Sequence, residues 1–117
     1  MKIALAQINP TVGALDNNSR KIEEIIQEYS PKCDLIVFPE MCLTGYPPQD
    51  LLMDTAFIAK TAEALKNITV KVQETPVILG TIRQVEDKLF NTAAVLQNGE
   101  VIACRDKTHL PTYDVFD

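Results

Sequence analysis

Two rhythms of apolar and polar positions run along this chain. Ile3, Leu5 and Ile8, with small residues between them, predict a first strand ending near Asn9-Pro10. Thr11 to Leu15 form a loop. Asp16 then stands as the N-cap of a helix whose apolar stripe is Ile22, Ile25, Ile26 and Tyr29. Lys21, Glu23, Glu24 and Glu28 fill its opposite face, and Ser30-Pro31 stops it. Leu35-Ile36-Val37-Phe38 is too apolar for a strand with one wet face, so it predicts a strand covered on both sides. Thr44-Gly45-Tyr46-Pro47-Pro48 is too rich in glycine and proline for the interior of any element. From Asp54 to about Glu74, Ile58, Ala62, Leu65, Ile68 (or Thr69) and Val72 predict a second amphipathic helix.

Pro76 breaks that helix, and the third strand runs from Val77 to Ile82. Glu86-Asp87-Lys88 is a polar turn. Leu89 to Leu96 and Val101 to Arg105 are strands joined by Asn98-Gly99, a pair suited to a type I′ turn because both central residues need positive φ. The predicted order is β-α-β-α-β-β-β. Early helices and a late antiparallel ribbon predict an α/β fold with a mixed sheet packed under helices. No helix follows to cover the last ribbon before Phe116-Asp117, so apolar surface should be exposed and residues 1–117 are expected to be the first part of a larger domain.

Composition narrows the partners. The 117 residues, 46% apolar and 23% charged, have the size and balance of one globular domain. A net charge of −5 with no basic stripe argues against nucleic acid. No apolar run approaches the roughly 20 residues that span a bilayer, and no signal-peptide pattern opens the chain, so no membrane is expected. Cys33, Cys42 and Cys104 are odd in number and form no paired framework, which makes the cytoplasm the simplest compartment.

Chemistry concentrates at two places. Glu40 follows the apolar second strand directly after Pro39, at the strand end where open α/β sheets put their ligands. A carboxylate on the lip of an apolar core has a perturbed pKa unless water reaches it freely; the plain alternative is a solvated turn glutamate. Lys107 follows the last predicted strand in the same way, its plain alternative being a surface lysine. If the two strand ends share one rim, a carboxylate and an ammonium converge on one pocket. Cys33 and Cys104 are expected to pack as small hydrophobes. Cys42, two residues from Glu40, has neither a helix N-terminus nor a neighbouring cation to activate it. His109 is the one histidine; it could cap or satisfy backbone groups, and without a cluster it gives no metal-ligand set.

Phe38-Pro39-Glu40 and Lys107 in its Arg-x-Lys-x-His-Leu context resemble the nitrilase, or carbon–nitrogen hydrolase, superfamily. Three longer stretches, Ala6 to Gly13, Leu43 to Leu52 and Lys107 to Asp117, resemble the amino-terminal glutamine-amidotransferase domain of the glutamine-dependent NAD⁺ synthetase family. The likeness runs over essentially the whole chain. It implies an α-β-β-α sandwich, incomplete here at its C-terminal side, and a Glu-Lys-Cys triad. By matching motifs, Glu40 would be the general base and Lys107 the oxyanion partner. The nucleophilic cysteine would lie beyond Lys107 in a segment absent from the chain. Tyr46, Tyr113 and Phe116 match positions that line the glutamine pocket, with ordinary packing as their alternative. Asp114 and Asp117 would belong to the same loop.

The resemblance further implies glutamine as substrate, no cofactor within this chain, ATP and Mg²⁺ in an absent synthetase domain, and a homo-oligomer. Its product would be ammonia for amidating nicotinic acid adenine dinucleotide. No glycine-rich phosphate loop occurs here. Two other functions are compatible with the residues: a stand-alone amidase of the superfamily, and a non-catalytic assembly module if the chain is complete as given.

Overall fold

The computed structural model describes residues 1–11, 13–45 and 54–110, the last three by backbone alone. Within them five strands and two helices follow in the predicted order: β1 (Ile3–Leu5), α1 (Leu15–Tyr29), β2 (Leu35–Val37), α2 (Thr55–Thr69), β3 (Val77–Val85), β4 (Lys88–Gln97) and β5 (Glu100–Leu110). The strands form one mixed sheet in the order β1-β2-β3-β4-β5. β1, β2 and β3 pair in parallel, whereas β3, β4 and β5 form an antiparallel ladder. The chemistry of the connections explains the split. Parallel neighbours need a crossover, which the two helices supply, and antiparallel ones need only tight turns. At one turn Val85 pairs with Lys88 and Glu86 takes φ 58°. At the other, Asn98 (φ 52°) and Gly99 (φ 77°) both enter the left-handed region, as a type I′ turn requires. That second turn is tied to the end of the helical layer, since Asn98 N–H donates to Gln73 O at 2.7 Å and Gly99 N–H to Val72 O at 2.8 Å.

One face of the sheet carries the core. Ile36, Val77, Leu79, Ala94 and Leu96 meet Ile22 and Ile26 of α1 and Phe57 and Ile68 of α2, all buried. Each large aliphatic side chain removed from water here stabilises the fold by roughly 1.5–3 kcal/mol. Neither described helix covers the other face. Ile3 and Leu5 are 50% and 73% exposed, and Leu35 and Val37 are half-buried, so β2 is sealed on one side and not on both as its composition predicted.

Several boundaries differ from the sequence reading. β1 ends at Leu5, and Ile8 packs against the core from beyond the strand. Asp16 is not the N-cap of α1: Ala14 holds that position with no side-chain cap, and Asp16 sits in the first turn, where its charge suits the helix dipole. Asn18 does the tethering instead. Fully buried, it accepts from Thr11 N–H at 2.9 Å and donates to Thr11 O at 2.8 Å and Leu43 O at 2.9 Å. Asp54 caps α2, accepting from the N–H groups of Ala56 and Phe57. That helix ends at Thr69 rather than near Glu74, because Lys71 and Val72 turn back onto Ile68 O and Thr69 O. Ala62 faces solvent, its expected place being filled by Phe57 and Thr61. Tyr29 is also exposed, with Lys32 Nζ 5.4 Å from the centre of its ring. No described helix is long and apolar enough to cross a membrane.

Candidate active site

Glu40 is held by its backbone on the uncovered face of β3. After Val37 the β2 ladder continues one step, Phe38 N–H donating to Ile78 O at 2.9 Å, and then Pro39 removes the next donor. The chain turns, with Met41 at φ 49° and Gly45 N–H closing on Met41 O at 2.8 Å. A non-glycine residue in this region costs on the order of 1 kcal/mol and persists where its surroundings over-determine it. Here the surroundings are specific. Met41, Cys42 and Leu43 are buried behind the turn. Beneath it lies Gly80, where an added Cβ would stand 2.5 Å from Pro39 O and 2.6 Å from Met41 N. Only a glycine lets backbone meet backbone so closely.

Two side chains converge on one oxygen of Glu40. Lys107 Nζ donates to Oε1 at 2.9 Å, and Asn91 Nδ2 donates to the same Oε1 at 2.6 Å. Among the described residues Oε2 accepts no hydrogen bond. Lys107, and secondly Asn91, hold the Glu40 carboxyl below its ordinary value of 4.5, against a smaller opposing effect of burial. Side-chain exposures of 68% for Lys107 and 40% for Glu40 leave the pair in contact with water, so its attraction is modest at rest.

Lys107 does not follow the last strand, as the sequence predicted; it lies within β5. Asn91 pairs with Thr108 and Thr92 with Asp106, so Lys107 is the extra residue of a β-bulge. Bulges re-aim a side chain beside functional sites, and here one gathers Lys107 onto the Glu40 carboxylate. The preceding residue anchors the strand. Asp106 receives a two-pronged bond from Arg83, Nε to Oδ1 at 3.0 Å and Nη2 to Oδ2 at 2.5 Å. That guanidinium lowers the Asp106 carboxyl below its ordinary 3.8, and the carboxylate in turn raises the Arg83 guanidinium above its usual value.

The cysteines are placed differently from one another. Cys42 is fully buried, its Sγ donating to Gly80 O at 3.5 Å, and burial pushes its thiol up to about 12. Inert packing is therefore the structural role of Cys42. Cys33 is half-buried, whereas Cys104 is exposed and is not the packed hydrophobe expected. Tyr46, Tyr113, Phe116, Asp114 and Asp117 lie outside the described residues, and His109 is described only as a backbone partner of Phe90. No cluster of His, Cys, Asp and Glu among the described residues could hold a metal ion.

Asn91 was not singled out from the sequence. Its signal was there, because asparagine is disfavoured inside strands and a buried amide needs partners. Two grooves among the described residues lie along α1 and α2, between side chains such as Arg20, Glu23, Lys60 and Lys71, and include none of Glu40, Asn91 or Lys107.

Comparison with known proteins fits this geometry. The glutamine-dependent NAD⁺ synthetase of Aquifex aeolicus is 40% identical over 118 residues, spanning 100% of this chain and 21% of its own length. The enzyme of the same name from Synechocystis is also 40% identical, over 98% of this chain and 22% of its own length. The chain thus spans about a fifth of the curated relatives it matches. Among solved structures, glutamine-dependent NAD⁺ synthetase from Acinetobacter baumannii superposes with a TM-score of 0.84 at 35% identity, over 96% of this chain and 22% of that one. An amidase from Nesterenkonia sp. shares the fold, with a TM-score of 0.77 at 19% identity over 98% of this chain and 46% of its own. The family described as "Carbon-nitrogen hydrolase" matches residues 2–117. With its mixed sheet, its Phe-Pro-Glu turn and that match over almost its entire length, this chain belongs to the carbon–nitrogen hydrolase family.

Proposed function

We propose that this chain carries the base and the oxyanion cation of a glutamine-hydrolysing unit whose ammonia serves glutamine-dependent NAD⁺ synthesis. The observation that supports it most is the 2.9 Å contact between Lys107 Nζ and Glu40 Oε1, which brings a carboxylate and an ammonium to one spot across the sheet. The names of the relatives at 34–41% identity support the same reading and favour it over a stand-alone amidase. Amidases resemble the chain at 18–21% identity, a likeness of fold.

A neutral amide is a poor electrophile, so its hydrolysis needs a thiolate, a base to make it, and positive charge where the carbonyl oxygen becomes an anion. Glu40 takes the thiol proton of a cysteine, and the thiolate adds to the side-chain carbonyl of glutamine. Lys107 donates to the oxyanion. Collapse of the adduct expels ammonia with the proton Glu40 received, leaving a thioester. Glu40 then takes a proton from water, which cleaves the thioester and releases glutamate. Cys42 is too deeply buried, with too high a pKa, to be the nucleophile, so we assign that role to a cysteine outside these 117 residues. ATP and Mg²⁺ belong in this reading to the later amidation of nicotinic acid adenine dinucleotide, a step assigned to another part of the protein.

The test is Lys107→Ala in the intact protein. Losing one oxyanion donor should lower the glutamine-dependent rate by about 10²–10³-fold. Synthesis from free ammonia should be unaffected. Glutamine hydrolysis at the unmodified rate in that variant would sink the proposal.

A further inference from the structure

We propose that Asn91 is the positioning residue of this site, gripping Oε1 of Glu40 so that Oε2 is the oxygen that takes the proton. The inference rests on the glutaminase reading above and deepens it. Both donors that reach Glu40 use the same oxygen, Asn91 Nδ2 at 2.6 Å and Lys107 Nζ at 2.9 Å, and among the described residues the second oxygen has none. The two donors are not equivalent. Lys107 is 68% exposed on a flexible stem and has to engage the oxyanion once the carbonyl is attacked. Asn91 is 4% exposed, in the interior of β4, paired with Ile82 on one side and Thr108 on the other. When the ammonium turns to the substrate, the amide stays.

A neutral donor suits this task. It fixes the carboxylate's direction without the full positive charge that would drain its basicity. Asn91 also shares its face of the sheet with Gly80 and Ile82 by strand alternation, and Gly80 is where the Glu40 backbone rests. One surface therefore sets both ends of Glu40, its Cα by close backbone contact and its carboxylate by the amide. Among the described side chains, the charged group facing that carboxylate is Lys107 from β5; β3 offers uncharged Gly80 and Ile82, and Arg83 and Asp106 are bonded to each other on the opposite face.

The experiment measures glutamine hydrolysis by the intact protein across pH for Asn91→Ala, Asn91→Asp and Glu40→Gln. Asn91→Ala should lower kcat by about tenfold and leave KM within about twofold, because a misdirected base affects the chemical step. The acid limb of its kcat/KM profile should move up by about one pH unit, since the ionised carboxyl loses a donor. Asn91→Asp keeps the shape and opposes the charge, so its acid limb should move higher still. If Asn91→Ala shows no cooperative melting, Asn91→Asp decides alone. An acid limb at the unmodified pH overturns the positioning role when Glu40→Gln is inactive. An active Glu40→Gln overturns the glutaminase reading, and this inference with it.

Discussion

Glu40 rests on Gly80: a Cβ built on that glycine would lie 2.8 Å from the Cα of Glu40, inside any distance that real side chains adopt. A strand interior is a poor place for glycine unless something approaches closely, and here the approaching atoms belong to the turn that carries the carboxylate.

Gly80→Ala should therefore injure stability and site together. The obstructing atoms, Pro39 O and Met41 N at 2.5 and 2.6 Å, are backbone and cannot swing aside. Overpacking of this kind costs typically 1–3 kcal/mol, and relief has to come from lifting the turn away from Asn91. Thermal unfolding and glutamine hydrolysis of the intact variant should both fall. A variant with an unmodified Tm and rate would show that the contact has no consequence.

Cys42 and Cys104 make opposite predictions under alkylation. The Cys42 thiol is buried, raised to about 12 and bonded to Gly80 O, so it should stay unlabelled in the folded protein near neutral pH. Cys104 is exposed and should be labelled readily. Peptide mass spectrometry after brief treatment with iodoacetamide separates the two. Cys42→Ala should retain hydrolysis with a stability loss of about 1 kcal/mol for the lost sulfur. Loss of hydrolysis at an unchanged Tm would instead make Cys42 the nucleophile.

Asp106 supplies a pH test whose sign is defined. Arg83 depresses its folded-state pKa below 3.8, so the native state binds the proton less readily than the unfolded chain. The pair then stabilises the fold fully above 3.8, and that contribution is lost as pH falls through the lowered value. Asp106→Asn should lower Tm near neutral pH, and the gap to the unmodified protein should close in acid. Because both partners meet water, the gap should also shrink in high salt. A gap that is constant from neutral pH into acid would dissociate the effect from this ion pair.

Much of the architecture was readable from local chemistry. Periodicity gave the alternation of helices and strands, Asn98-Gly99 announced its turn, and the abrupt Phe38-Pro39-Glu40 stop marked the loop that bears the carboxylate. Where the reading strayed, long-range contacts had overridden local signals. Asp16 looked like a cap, yet Asn18 was needed inside to tie Thr11 to Leu43. Helix α2 stops at Thr69 because the following residues turn back to meet the Asn98-Gly99 hairpin.

Chain order therefore specified which residues become strand, helix and turn, and that Glu40 follows a strand end, because those properties depend on neighbours a few positions away. The meeting of Glu40 with Lys107 and Asn91, 67 and 51 residues further on, came from folding in three dimensions. It depends on the pairing register of β3, β4 and β5 and on one extra residue at Lys107. Register is settled by the competition of whole faces for burial, and no short stretch of sequence holds both sides of that contest.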